Sequence, residues 1–527
     1  MSNARVPALR NQALIGISLF LIAVWAAYQT GNKIAAGDTQ TLIFVSLGFA
    51  ACVVAVTILR NWRNGFFLFL GWLLFEDLVR KFMGNNLALF FGKDILLGLV
   101  YVSLFVAIRS KNEKRFRPPF LFFLSLFIWL GALQILNQNS PHILYGLLGF
   151  KVYFYYIPLM WVGYALIRQD EDLRKFLVVN AALAGIIAIL GLIQAVLGNS
   201  FLNPTVLAPE LQDLGDLNKV TPLSGQHFSL PSSVFVSSGR YSTFLIVAFV
   251  LLMGSAGYLL LSSPRGRKLV FLVLGLLGVA TLFSGNRGAV ITVAASAVIL
   301  TIGLLWGAPW RQRQAHRMVK AVRRTFIFAA AALAVVLLLF PKEAGSRIAY
   351  YTETLSPSSS AYQLGNRTWD YPILNLENAF DRPNWVMGNG IGTASLGMQY
   401  VAKLLHQTPP NLGVEAGYGT MIVEMGIIAP FLWILWSTAL LYYAWKIVVG
   451  LRETRFFPIG FAIFWYAFLL LVPLTFGSLN AYQNYVCNAY LWLLVGILFR
   501  LPEVLVQSPA PIEVLSPKSR VRGGFQF

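Results

Sequence analysis

The sequence predicts an all-α polytopic integral membrane protein, with about 14 transmembrane helices and a long extracytoplasmic loop containing short helices. Composition is the first reason. Of 527 residues 57% are hydrophobic and only 12% charged, and the mean hydropathy is +0.66, which excludes a water-soluble domain. The second reason is that apolar runs near the length needed to cross a hydrocarbon core of about 30 Å recur along the chain. The third is charge: the formal net charge of +20 falls almost entirely on one set of connections. Membrane orientation then accounts for the basic excess, and no nucleic acid is expected as a partner.

Fourteen apolar runs can be read, at 12–28, 40–59, 64–76, 87–108, 119–136, 143–166, 176–197, 241–262, 268–283, 288–306, 325–340, 418–445, 459–476 and 486–500. Those at 64–76, 268–283, 325–340 and 486–500 are short. Alternating the connections puts 60–64, 109–118, 167–175, 263–268, 307–324, 446–458 and both termini on one side, and these carry the basic clusters. By the positive-inside bias that side is the cytoplasm, so the chain is multi-pass in a lipid bilayer with both termini cytoplasmic. The first run follows Arg5 and Arg10 without a clear small-residue cleavage site and reads as a retained anchor. Cys52 and Cys487 lie far apart in or beside apolar runs and read as packing residues. The organisation is therefore 1–240, N-terminal transmembrane helices with a 198–239 extracytoplasmic loop; 241–340, central helices carrying two arginine motifs; 341–417, the long extracytoplasmic loop; 418–500, C-terminal transmembrane helices; and 501–527, a cytoplasmic tail.

The chemistry-capable residues are few and placed. Glu76, Asp77, Arg80 and Lys81 close the third run, and Lys93 with Asp94 lies inside the fourth. Ionisable groups in apolar segments are functional candidates by default, but a structural clasp across these two helices is the simpler expectation. Lys151, near the middle of the sixth run beside Tyr153, Tyr155 and Tyr156, either snorkels or pairs in the bundle, or lines a cavity that receives an anionic lipid head group. Arg240, in SSGRYSTF, and Arg287, in FSGNRGAV, each stand at a helix end on the non-cytoplasmic side, flanked by Gly and Ser rather than acids. Either alone reads as an interfacial arginine; together they point to an anion site, because guanidinium forks grip phosphate oxygens and stay charged when desolvated.

The 341–417 loop holds Arg347, Arg367, Trp369, Asp370, Arg382, His406 and Glu415. So long an insertion in a mostly apolar chain marks a lid or binding element. The spacing of Trp369, Ile373, Leu376 and Phe380 predicts a helix starting near Asn366, with Arg367 in its first turn. The glycines of WVMGNGIGTASLG read as turn positions, since no βαβ context supports a nucleotide loop.

Three stretches resemble a known group. FSGNRGAVITV is similar to a Ser-x-x-Arg-Gly-Ala helix start, GNRTWDYPILNLENAF followed by MGNGIG to an Arg-x-x-x-Trp and Gly-x-Gly pair, and EAGYGTMIVEMGIIAP to a segment running from His-Asn to Glu-x-Gly. In their order and spacing over roughly 235–440, and more faintly in LLGFKVYFYYIPLMWVG, these resemble the bacterial O-antigen ligase and O-antigen/exopolysaccharide polymerase superfamily, of the glycosyltransferase C type fold.

The resemblance implies a membrane glycosyltransferase that polymerises or transfers a polyprenyl diphosphate-linked glycan, an undecaprenyl diphosphate donor in such bacteria, to a glycan or lipid-linked acceptor. It implies action at the outer face of the bacterial cytoplasmic (inner) membrane, inversion at the anomeric carbon, no metal and no cofactor, and partners in polysaccharide export and chain-length control. Arg240, Arg287 and Arg367, with Lys151, would hold the diphosphate, and Glu415 or His406 would take the acceptor proton. Glu415 and Ala416 stand where ligases carry the His-Asn pair, and His406 is the one histidine nearby. That departure favours a polymerase over a ligase acting on a lipid A-core acceptor. Glu415 has a plainer reading too, as a cap of the apolar segment that follows. A lipid-linked oligosaccharide flippase or other transporter is the alternative of another class; it has no need of so long an outer loop.

Overall fold

The computed structural model describes residues 52–83, 87–110, 113–203, 218–262, 265–307 and 340–507, with scattered positions between 320 and 339. These residues are predominantly helical, with almost no sheet. They divide into two units, 1–70 with 92–109, and 71–91 with 110–527. In the smaller unit Ile58, Trp62, Phe66, Phe69, Leu97, Val100 and Leu104 are buried, and Ser103 Oγ donates to the carbonyl of Ile58 at 3.1 Å. That bond satisfies a hydroxyl that would be costly to bury alone.

The larger unit carries the rest. It begins within α1 (Trp62–Met83), whose last two turns hold Glu76, Asp77, Arg80 and Lys81, all buried. The helix α2 (Leu87–Arg109) runs on into the smaller unit; then follow α3 (Leu121–Gln134), α4 (Ile143–Phe154), α5 (Leu159–Leu166) and α6 (Asp170–Leu197). The start of α6 is fixed by a capping box between Gln169 and Asp172, with Asp170, Glu171 and Asp172 all in the first turn, where acids complement the helix dipole. Next come α7 (Ser238–Ser262), α8 (Arg267–Phe283), α9 (Arg287–Gly307) and α10 (Pro341–Leu355).

A π-helical turn, Asn366–Asp370, leads into α11 (Tyr371–Phe380), and α12 (Met398–Leu404) and α13 (Gly417–Met425) follow. The chain closes with α14 (Ile428–Gly450), α15 (Phe457–Leu469) and α16 (Tyr485–Gln507). A hairpin of β1 (Asn218–Val220) and β2 (His227–Ser229), antiparallel with Lys219 opposite Phe228, stands in the 198–239 segment, where the sequence offers no helical periodicity.

Among the described residues eight helices are long and apolar enough to cross a membrane: Phe91–Arg109, Ile143–Leu166, Asp170–Leu197, Ser238–Ser262, Arg287–Gly307, Ile428–Gly450, Phe457–Gly477 and Tyr485–Gln507. The chain is thus an all-α membrane protein, and the difference from the fourteen expected runs has two sources. The runs at 12–28, 40–59 and 325–340 lie wholly or mostly outside the described residues, as does most of the 307–324 connection and the 501–527 tail. Three others form helices that fall short: Leu121–Gln134 has 14 residues, Arg267–Phe283 has 17, and α1 ends in four charged side chains. The run at 418–445 is also not one helix, because Gly426, at φ +86, ends α13 before α14 begins.

The expected helix after Asn366 forms, but its buried face is not the one the apolar spacing marks. Pro372, Asn375 and Ala379 are buried and Leu376 packs partly buried against the cluster around Ala379, while Trp369, Ile373 and Phe380 are exposed. The π-helical turn changes the register of Trp369 alone, because Ile373 and Phe380 lie inside the regular helix that follows it. Ala379 packs with Val414, Ile422 and Val423, which fixes α11 against α13.

Candidate functional site

The larger unit holds a cavity of about 1170 Å³. Irregular backbone makes one wall. Pro473 lacks an amide donor, and α15 runs into a π-helical turn, Leu470–Leu474, where Thr475 Oγ1 donates to the carbonyl of Leu470 at 2.7 Å. Such backbone is tolerated at membrane depth where it lines a cavity. Leu469, Val472, Pro473, Leu474 and Phe476 give this wall its apolar face. Gly417 is the close-approach point behind it, since a Cβ there would stand 1.7 Å from the carbonyl oxygen of Thr475.

Arg240, Arg287 and Arg367 all line this cavity, and so does Lys219; no Asp or Glu is among its lining residues. Each cation is placed by a different element. Arg287 opens α9, whose N-terminus is capped by Asn286, its Oδ1 accepting from the amide of Ala289 at 3.1 Å. A guanidinium at the positive end of a helix favours an anion as neighbour, and Arg287 Nη1 is buried with no hydrogen-bond partner among the described residues. Arg367 sits in the π-helical turn, its guanidinium 4.9 Å above the ring of Tyr371.

Arg240, on the first turn of α7, corrects one expectation. It is not without an acid: its Nη1 donates to Asp77 Oδ2 at 2.9 Å, while Asp77 Oδ1 accepts from Arg80 Nη1 at 2.9 Å. Asp77 is fully buried and also accepts from the amide of Val236 at 3.3 Å. Lys81 donates to Ser232 Oγ at 3.0 Å and to the carbonyl of Ser233 at 2.8 Å. Asp77 and Lys81, at the end of α1, therefore fasten the 232–240 segment.

Glu415, His406 and Lys151 are not among the residues lining the cavity. Lys151 lies 4.5 Å over the ring of Phe91. His406 is exposed beyond the end of α12, with φ +53. Glu415 stands next to the N-cap of α13 but does not cap it: Ala416 holds that position with no side-chain bond, and the Glu415 carboxylate accepts from Tyr371 Oη at 2.5 Å instead. The Glu415 amide donates to Asn375 Oδ1 at 3.0 Å. The hydrogen bond to Glu415, then burial, raises the Tyr371 phenol above the ordinary tyrosine range. Tyr371 thus joins Glu415 to Arg367, and through it to the cavity edge. The glycine-rich turn is structural: Glu424 Oε1 accepts from the amides of Gly392 and Ala394 at 3.1 and 2.8 Å and from Ser395 Oγ at 2.8 Å, and its Oε2 from Tyr153 Oη at 2.7 Å.

No protein-family model matches this chain, and no curated protein matches it. The site therefore has to be read from its own chemistry. Four cations with no acid among the lining, an apolar wall, and the rings of Trp369, Phe476 and Tyr418 spaced 5.9 and 6.1 Å apart suit an amphipathic anion with a bulky polar body. Three participants were not legible as such. Lys219 carries no motif, although it is the one Lys or Arg between Asn199 and Gly239. Asp77 was visible as a charge but not as the partner of Arg240. Tyr371 follows Arg367 by four residues, the spacing at which helical side chains meet, and that signal could have found it.

Proposed function

We propose that the chain is a membrane glycosyltransferase that moves a glycan from a polyprenyl diphosphate to an acceptor sugar hydroxyl, at the outer face of a bacterial cytoplasmic membrane, in the manner of an O-antigen or exopolysaccharide polymerase. The observation that carries the reading is the meeting of Arg240, Arg287 and Arg367 at one amphipathic cavity, with Arg287 Nη1 buried and unpartnered among the described residues. Arg240 and Arg287 are half-buried and Arg367 is exposed, and a guanidinium nitrogen buried without a partner, as Arg287 Nη1 is, is costly unless an anion meets it. A diphosphate with a polyprenyl tail supplies the charge and matches the apolar wall.

The chemistry asked of the protein is modest. Matching the diphosphate charge makes it a good leaving group, the electrostatic part of the catalysis. The acceptor hydroxyl then attacks the anomeric carbon as its proton passes to a base, a contribution of about 10²–10⁴-fold. Neither Glu415 nor His406 lines the cavity, and Glu415 is the base favoured here because Tyr371 ties it to Arg367 at the cavity edge. That choice supports polymerisation over ligation.

The test is consumption of a lipid-linked glycan by purified protein. Arg287→Lys keeps the charge but loses the fork and is expected to cut turnover at least about tenfold. Glu415→Gln is expected to cost about 10²-fold or more, with His406→Ala near the unaltered rate. Full turnover in Glu415→Gln with loss in His406→Ala would transfer the role to His406; unchanged turnover in Arg287→Lys would remove the clamp.

A further inference from the structure

The four cations of the cavity are not equivalent. Arg240 is ion-paired, because Asp77 Oδ2 accepts from it while Asp77 Oδ1 accepts from Arg80, which Glu76 approaches at 3.8 Å. Arg287, Arg367 and Lys219 make no ion pair with an acid among the described residues. The cavity thus presents three uncompensated positive charges.

Lys219 differs from the arginines in how it is held. Its hairpin is pinned at the turn and at β2, which pairs with the Lys219 strand: Glu353 accepts from the amides of Leu223 and Ser224 at 2.7 and 3.1 Å, Arg347 Nη2 donates to the carbonyl of Ser229 at 2.8 Å, and the rings of Phe228 and Tyr350 lie 5.4 Å apart. Its side chain is not: Nζ donates to Tyr350 Oη at 3.0 Å, one of the three donors of an ammonium on a flexible stem. A fixed backbone with a turning charge can follow an anion whose charge changes.

We propose that Lys219 is a further substrate-binding residue, one that holds the charge appearing on the leaving diphosphate; this rests on the transferase reading above. In the donor both ends of the diphosphate are esterified, so it carries two negative charges. As the acceptor oxygen bonds to the anomeric carbon, the bond from that carbon to the phosphate oxygen breaks and its electron pair stays on the phosphate. The acceptor proton goes to the base, and the diphosphate acquires a third negative charge. Arg287 and Arg367 match the first two, and Lys219 leaves the Tyr350 hydroxyl to meet the third.

The inference predicts product-selective binding. Farnesyl diphosphate stands in for the product and its methyl diester for the donor linkage, each titrated into the full-length protein in detergent. Lys219→Gln is expected to weaken farnesyl diphosphate about tenfold and the diester less than about twofold. Lys219→Arg is expected to keep most of the affinity, and Tyr350→Phe, which frees Nζ and keeps every charge, to bind farnesyl diphosphate at least as well as the unaltered chain. Equal losses for both lipids in Lys219→Gln, or none for either, overturn the proposal. Loss of both lipids in Arg287→Gln upholds the anion site independently of that result, whereas binding of neither lipid by the unaltered chain overturns the site and the inference together.

Discussion

Asp77 is the residue on which the cavity's charge turns, and Asp77→Asn separates stability from binding. The side chains of Asp77, Arg80 and Arg240 are 0%, 1% and 21% exposed, so solvent screens their contacts little. Removing one partner of a buried pair costs about 3–5 kcal/mol. The asparagine oxygen still accepts one neutral bond and Arg80 keeps Glu76 at 3.8 Å, which brings the expected loss to about 2–3 kcal/mol. In a double-mutant cycle with Arg240→Gln, followed by thermal unfolding in detergent, the coupling energy should be about 1.5–3 kcal/mol. Binding is expected to change the other way, because Arg240 then adds an uncompensated charge to the cavity and inorganic pyrophosphate binds more tightly. Additive losses within about 0.5 kcal/mol would refute the ion pair. Weaker pyrophosphate binding in a stably folded Asp77→Asn would refute the charge count.

Other expectations follow from single contacts. A tyrosine titration by ring-carbon NMR should show the Tyr371 phenol above about 10, with its bond to Glu415 intact below that pH and lost as pH rises through the raised value; Glu415→Gln should return it toward the ordinary range. Gly417→Ala places a Cβ 1.7 Å from the Thr475 carbonyl oxygen, so it should lower the unfolding temperature and cavity function together, and an unperturbed variant would contradict the packing of α13 against the π-helical turn. Single cysteines at Ser358 and Gln314, in a chain freed of Cys52 and Cys487, should label from opposite sides of the membrane; labelling of both from one side would refute the orientation read from the basic connections.

The membrane class, the apolar spans and the arginine positions were all written locally in the sequence, because each depends on a run of neighbouring residues or on a side chain's place at the end of such a run. Even so, a local count failed where backbone geometry departed from the regular helix, at the π-helical turn before Tyr371 and at Gly426, since periodicity assumes an unbroken 3.6-residue turn. Tertiary structure alone decided which charges meet. Asp77 reaches Arg240 across 163 residues and Lys219 reaches Tyr350 across 131, and nothing in either neighbourhood encodes the other. It also decided that Glu415 faces a phenol rather than the end of its own helix, because a carboxylate beside a helix start takes whichever donor the packing of α11 against α13 brings within reach, and here that donor is Tyr371.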